Sequence, residues 1–309
     1  MKFCIIDVNN LVHRCKHVIK DYSDPDECAA LVITIVFGSL KKTFQKFDSK
    51  HCVACFDSAS WRKEFYPLYK ANRIEDEATM TDEKKEEKQI IKDVLKAIRD
   101  YLDNYTNVTV LEGYAIEADD FIARWVQLHD DKNYQHIIVS PDSDFKQLVS
   151  ENVKLFNPLV NILYTVEGVF HQDGKRITSK DEVVKLYGEN WKVKKNKISK
   201  KDWELFFKIA RGDTSDNIPS IKPGEYEKKL RLVYEDGGGE LWNNFINQIY
   251  YNKKIEKNIK VRELYDRNKK LIDLKDQPEH IKEKMDKLIE MALLKERKKM
   301  VSFYFARFC

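Results

Sequence analysis

Two hydrophobic periods alternate along the chain. Short β-rich runs, "KFCIIDV" (2–8), "HCVACFD" (51–57), "NVTVLEG" (107–113) and "HIIVSPD" (136–142), are separated by longer segments of helical spacing. That alternation predicts an α/β fold built on a mainly parallel central sheet flanked by helices. Between the second and third runs, Ile90, Ile91, Val94, Leu95, Ile98 and Leu102 fall at helical spacing with charge elsewhere, while the polar residues before them are expected to project from the body. After Val149 the pattern changes. "VKLFNPLVNILYTVEGVF" reads as one or two further strands, "KRITSKDEVVKLYG" as a capped helix, and "DWELFFKIARGDTSDNIP" as a helix running into a Gly-Asp turn. Residues 225–309 read as largely helical, with "YEDGGGELW" a flexible break. The expected organisation is an α/β core over 1–180 and a mostly helical region over 181–309.

At 309 residues the chain is long enough for a sizeable core. Hydrophobic residues make up 42% and charged residues 34%, and no stretch approaches the roughly 18 apolar residues of a membrane span. The start, "MKFCIIDVNN", is too short and meets Asp7 too early for a signal peptide, so the soluble chain is expected to stay in the cytoplasm where it is made; a monomer is expected. Six scattered cysteines show no disulfide framework. The "CVAC" at 52–55 lies in an apolar run where Cys52 and Cys55 would point to opposite faces of a strand, which disfavours a metal site. The net charge is only +4, yet "WKVKKNKISKK" (191–201) holds six lysines and no acid, which points to a polyanionic partner if the acids are gathered elsewhere and otherwise reads as a solvated loop.

The acids are gathered. Each of the four strand-like runs ends at or just before one: Asp7, Asp57, the group Glu117, Asp119 and Asp120 inside "YAIEADDFIA", and Asp142. Carboxyl ends of parallel strands share one sheet edge, where ligands of open α/β folds bind. "DSD" adds Asp144, and "GDTSD" adds Asp213 and Asp216. Any one of these alone is explained by helix capping. Together they cannot stay ionised around one crevice without positive compensation. All-oxygen donors suit Mg²⁺ or Mn²⁺, and two such ions about 3.5–4 Å apart can clamp a phosphodiester for in-line displacement. Because helix positions 117 and 119 diverge by about 200°, Glu117 is expected before the first full turn, with Asp119 and Asp120 at the helix N-terminus, where the dipole favours their charge.

A second constellation is "WRKEFYPLYKANR" (61–73), in which Arg62, Lys63, Lys70 and Arg73 interleave with Trp61, Phe65, Tyr66 and Tyr69. Such interleaving can hold phosphates while stacking a base, and it also fits an ordinary amphipathic helix with snorkelling bases. Lys70 and Arg73, three apart, would share a helix face. There is no GxSxG, HExxH or P-loop pattern. A metal-dependent phosphatase working through an aspartyl-phosphate would need DxD at the first strand, where the chain has "DVN". A non-catalytic nucleic-acid-binding protein is the other alternative.

In combination "CIIDVNNL", "ACFD", "FYPLYKANR", "YAIEADDFIA", "SPDSDFKQL" and "RGDTSDNIP" resemble the flap endonuclease or 5′-nuclease superfamily over roughly residues 1–220, most like its phage ribonuclease H type. The resemblance implies a structure-specific 5′-nuclease using two Mg²⁺ or Mn²⁺ ions, with Asp57, Glu117, Asp119 and Asp142 around one ion and Asp7 nearby through water. Asp144, Asp213 and Asp216 would attend the second, and Asp120 would support both. It further implies that Lys70 and Arg73 engage the scissile phosphate at the base of a helical arch (near 70–100), that Tyr69 stacks on a terminal base, and that Arg62, Lys222, Lys228 and Lys229 contact nucleic acid. The last three fall in a divergent helix-hairpin segment near 203–235 that keeps one glycine, Gly224. Implied partners are DNA and RNA-DNA duplexes with 5′ ends or flaps, and a sliding clamp or single-strand-binding protein.

Overall fold

The computed structural model describes residues 1–15, 24–73, 79–171, 173–177, 201–222, 224, 226–252 and 256–295. The lysine-rich stretch before residue 201, most of the helix expected over 175–188, and the tail beyond 295 lie outside the described residues. The chain forms two compact units, one made of Met1–Ser60, Met80–Lys197 and Glu279–Cys309, the other of Trp61–Thr79 and Ile198–Pro278. The single boundary expected near residue 180 is therefore corrected. Residues 61–79 join the second unit, and the helix Glu279–Leu294 returns to the first by packing its Ile281, Met285 and Ile289 there.

The first unit holds a seven-stranded sheet in the order β3-β2-β1-β4-β5-β6-β7. Its strands are β1 (Lys2–Asp7), β2 (His51–Cys55), β3 (Thr109–Leu111), β4 (Gln135–Val139), β5 (Val153–Asn157), β6 (Ile162–Thr165) and β7 (Gly168–Phe170). The first five pair in parallel and the last two add antiparallel, so three strands follow Val149 rather than one or two. Buried β1 residues such as Cys4, Ile5 and Ile6 fit a strand covered on both faces. One face is covered by α1 (Val8–Cys15), α2 (Pro25–Lys46) and α4 (Asp82–Tyr105), the last contributing the expected stripe Ile90, Ile91, Val94, Ile98 and Leu102. Each such burial contributes about 1.5–3 kcal/mol. α5 (Ala118–Leu128) also packs on β1 and β2, burying Phe121, Ile122 and Trp125. It is clamped to α10 (Glu279–Leu294) by the bidentate pair Arg124–Asp286, both contacts 2.6 Å. Strand order reverses between β1 and β4, which is the switch point where such sheets open a ligand crevice.

The second unit contains α3 (Arg62–Phe65), α6 (Lys201–Arg211), α7 (Glu227–Glu235), α8 (Glu240–Ile246), the ribbon β8 (Ile249–Asn252) and β9 (Lys257–Lys260), and α9 (Val261–Ile272). The ribbon interrupts a stretch expected to be helical. Trp203, Phe206, Leu230, Phe245 and Val261 form its main apolar cluster. Buried Asn268 on α9 donates to the carbonyls of Ile209 and Pro219 (2.9 and 2.8 Å), tying both sides of the Gly-Asp turn to that helix. The turn needs its glycine: Gly212 has φ +70°, and a Cβ there would lie 2.2 Å from the Ile218 carbonyl oxygen. No described helix is long and apolar enough to cross a membrane. Gly212→Ala should destabilise the protein by at least about 2 kcal/mol, read as a lowered urea midpoint; an unchanged midpoint would contradict this turn geometry.

Candidate active site

In the first unit each acid is positioned by the turn that ends its strand. β1 runs directly into α1, so Asp7 accepts the Asn10 N–H (3.0 Å) and the Ser140 hydroxyl (3.1 Å). Beyond β4, the Asp142 N–H donates to Ser140 Oγ (3.1 Å), and the Asp142 carboxylate caps the short 3₁₀ helix Ser143–Leu148 by accepting the Asp144 N–H (2.9 Å). Beyond β2, Asp57 accepts the Ala118 N–H (2.8 Å) while its own N–H donates to Asn9 Oδ1 (3.0 Å). Glu117 is the N-cap of α5, with φ −87° and ψ 158°, and it exchanges a capping box with Asp120. Asp120 Oδ2 accepts the Glu117 N–H (3.3 Å), and the Ser60 hydroxyl donates to Glu117 Oε2 (2.5 Å). Glu117 therefore stands before the first turn and Asp119 within it, as the 200° argument requires. Asp120 is fully buried with its carboxylate on the backbone, and Asp144 is partly buried beside the cap.

The charges are strongly coupled. Burial first, then Asp57 and Asp142, pushes Asp7 up to about 7 against the lowering effect of its Asn10 and Ser140 hydrogen bonds. Asp119 is held well above the usual carboxylate range by burial and then by Asp7, Asp142, Asp57 and Glu117. The buried Cys55 thiol is pushed up by burial and by Asp7, Asp119 and Asp57. Five carboxylates thus share one electrostatic environment at the carboxyl edge of the sheet. Arg14, two turns along α1, faces Asp142 and Asp7 but is itself disfavoured as a cation by burial.

Among the described residues, no group of three or more His, Cys, Asp or Glu side chains is set to hold a metal ion as it stands. The donor chemistry nonetheless fits a hard divalent cation. The donors are all carboxylate oxygens, and the raised Asp7 and Asp119 show negative charge in excess of its compensation. Mutual repulsion opposes closer approach of such acids until a counter-charge is present.

The second unit carries its own charged cluster. Asp216 accepts from Arg73 (2.8 Å) and from the Tyr69 hydroxyl (3.1 Å), with Lys70 Nζ at 3.8 Å. The Lys70 N–H also donates to the Asp216 carbonyl (2.9 Å). Lys70 has φ +55°, a strained conformation for a side chain of this kind. Lys70 and Arg73 converge on one carboxylate through this turn and not through a shared helix face, which corrects the helical expectation. Asp213 pairs with Lys208 (2.8 Å) and accepts the Ser215 N–H and hydroxyl (2.9 and 2.6 Å). Burial opposes its charge, but these partners bring it down to about 2.

Other expected contacts are placed differently. Arg62 is 2% exposed, donates to the Leu271 carbonyl (2.9 Å) and lies over the Trp61 ring, so it holds the fold together and does not face solvent. The Tyr69 ring, 4% exposed, is packed with Ile209, Ile218 and Leu271, which leaves no open face for a terminal base. Lys222 donates to Gln248 Oε1 (2.6 Å), whereas Lys228 and Lys229 are exposed at the start of α7. Ser60, Asn9, Ser140, Arg14 and Lys208 were not anticipated. Asn9, Asn10 and Ser140 had a local signal, being polar residues within three positions of Asp7 or Asp142.

A pH dependence follows from Asp7. Its folded value of about 7 exceeds the ordinary 3.8, so the folded state binds more protons between these values. Stability of the cation-free protein should fall as pH rises from about 4 to about 7 and level off above. Urea midpoints in chelator should show that slope flattened by Asp7→Asn; an identical slope in the variant would refute the assignment.

Comparison with known proteins agrees with this arrangement. Residues 2–188 match the family model described as the 5′-3′ exonuclease N-terminal resolvase-like domain. A DNA polymerase I from Mycobacterium bovis is 33% identical over 180 residues, 58% of this chain but 16% of that protein, so the chain spans under a fifth of such relatives. A 5′-3′ exonuclease from Aquifex aeolicus is 28% identical over 278 residues, 84% of each chain. The solved flap endonuclease D15 of bacteriophage T5, in complex with DNA and metal ions, superposes with a TM-score of 0.64 at 17% identity, covering 95% of this chain and 100% of that one. With the matched domain spanning the whole carboxylate edge, the chain belongs to the 5′-3′ exonuclease family.

Proposed function

We propose that the chain is a divalent-cation-dependent 5′-nuclease that hydrolyses phosphodiesters near the 5′ end or branch point of DNA and RNA-DNA duplexes, the reaction that removes primers during replication. The observation that carries this reading is the convergence of Asp7, Asp57, Glu117, Asp119 and Asp142 on one sheet edge in a family of exonucleases. These five would hold Mg²⁺ or Mn²⁺, with Asp120 and Asp144 of the same unit available for a second ion or for support. Bound there, a divalent cation supplies the missing positive charge, makes water a stronger nucleophile and polarises the phosphoryl oxygen.

The chain's own groups orient the acids and meet the substrate. Asn10 and Ser140 orient the Asp7 carboxylate, the Ala118 N–H orients Asp57, and Ser60 orients Glu117, which supports their use as donors once a cation draws them together. Lys70 and Arg73 carry the charges that would stabilise a phosphate as negative charge develops on it. Until then Asp216 holds both, and an incoming phosphate would compete with it for them.

Two substitutions test the reading on a 5′-labelled flap oligonucleotide. Asp142→Asn keeps a good capping side chain, so it should fold normally yet lose at least about a hundredfold in cleavage rate. Lys70→Ala should lose a similar factor. Chelation should stop wild-type turnover and Mg²⁺ or Mn²⁺ should restore it. Near-normal cleavage by either variant, or cleavage indifferent to chelator, would sink the proposal.

A further inference from the structure

The ribbon β8–β9 presents a face to solvent that the second unit does not use. Its register pairs Ile249 with Lys260, Tyr250 with Ile259 and Tyr251 with Asn258. Residues directly opposite share a face, so Tyr250 and Ile259 lie on one side, and Ile249, Tyr251, Asn258 and Lys260 on the other. Tyr250 packs against the unit's main apolar cluster and Ile259 is half-buried. Ile249 and Tyr251 are 60% and 56% exposed, and Asn258 and Lys260 are exposed beside them.

Charge decides what would cover this face. Lys260 stands on this face by register, and the sequence around it is basic, with five Lys or Arg against one acid, Glu256, along 250–262, although Lys257 falls on the Tyr250 side and Arg262 donates to Asn247. An aromatic ring beside lysine and amide side chains is the equipment for stacking a base while neutralising its phosphate. A protein partner would need about 800 Å² on this side for a stable complex, far more than four side chains supply. A single base needs only one ring.

We propose that the outer face of the ribbon is a binding site for single-stranded nucleic acid, with an unpaired base stacked on Tyr251 and a phosphate on Lys260. The strand's purpose here rests on the nuclease reading; its attachment to the ribbon does not. Asn258, opposite Tyr251, would hydrogen-bond the edge of the stacked base or its sugar.

The test uses the full chain in chelator and fluorescence anisotropy with a labelled single strand of about twenty nucleotides, with a blunt hairpin duplex as the second probe. Tyr251→Ala should weaken single-strand binding about tenfold and leave the duplex unchanged. Lys260→Gln should reduce the salt slope on the single strand by about 0.7, the signature of one lost phosphate contact, and Lys260→Arg should restore it. Both variants should keep the wild-type Tm. Wild-type affinity and slope in the variants, as expected if the face instead serves a protein, would overturn the proposal, as would equal losses on strand and duplex. A wild-type chain that binds the strand through the ribbon but leaves a flap uncut with Mg²⁺ would overturn the nuclease reading alone. One that cuts the flap while the variants bind normally would overturn the ribbon alone.

Discussion

Burying like charges at the end of a parallel sheet is the constraint on which the first unit is built. Asp7 is disfavoured as an anion by desolvation and then by Asp57 and Asp142, and Asp119 by desolvation and then by Asp7, Asp142, Asp57 and Glu117. A fold under no functional demand would replace such acids with neutral caps. They are retained by a scaffold stiff enough to oppose their separation: β1 is hydrogen-bonded to strands on both sides, and α4 and α5 bury apolar stripes beside it. The acids are further fixed by hydrogen bonds from Asn10, Ser140, Ala118 and Ser60, donors that satisfy carboxylate lone pairs without cancelling their charge.

Capping and ligation are usually weighed as rival explanations for an acid at a helix start. Here one carboxylate does the first while remaining available for the second. Asp142 accepts the Asp144 N–H with one oxygen, and Glu117 caps α5 while taking the Ser60 hydroxyl. A carboxylate has about four acceptor sites, so a cap uses part of its capacity and sets its direction. The second unit treats its acids differently. Asp213 and Asp216 are neutralised directly by Lys208, Lys70 and Arg73, and Asp213 is accordingly stabilised as an anion while Asp7 is destabilised. Asp119 stands with Asp7, so these two buried acids and Asp213 are shifted in opposite directions.

The fold of the first unit was legible in the sequence because period and position carry it. Alternating apolar runs located β1 to β4, and the stripe from Ile90 to Leu102 located α4. The acids at strand ends were legible for the same reason, since parallel topology sends every carboxyl end to one edge. Boundaries between units were not, because Asp286 and Ile281 look like any amphipathic surface until α5 and Arg124 are in place to receive them.

What the sequence determined by itself was which residues carry charge and which strand each follows, and through that the class of chemistry. Tertiary structure alone decided how each charge is spent. Arg62 and Tyr69 are indistinguishable in sequence from phosphate and base contacts, yet burial assigns both to packing, because a helix of one turn and a following turn carry them inward. Lys70 reaches Asp216 through a left-handed backbone that no local periodicity signals. The ribbon β8–β9 likewise depends on partners across the chain: Tyr250 is half-buried and Tyr251 exposed because the unit's apolar cluster lies on one side of it.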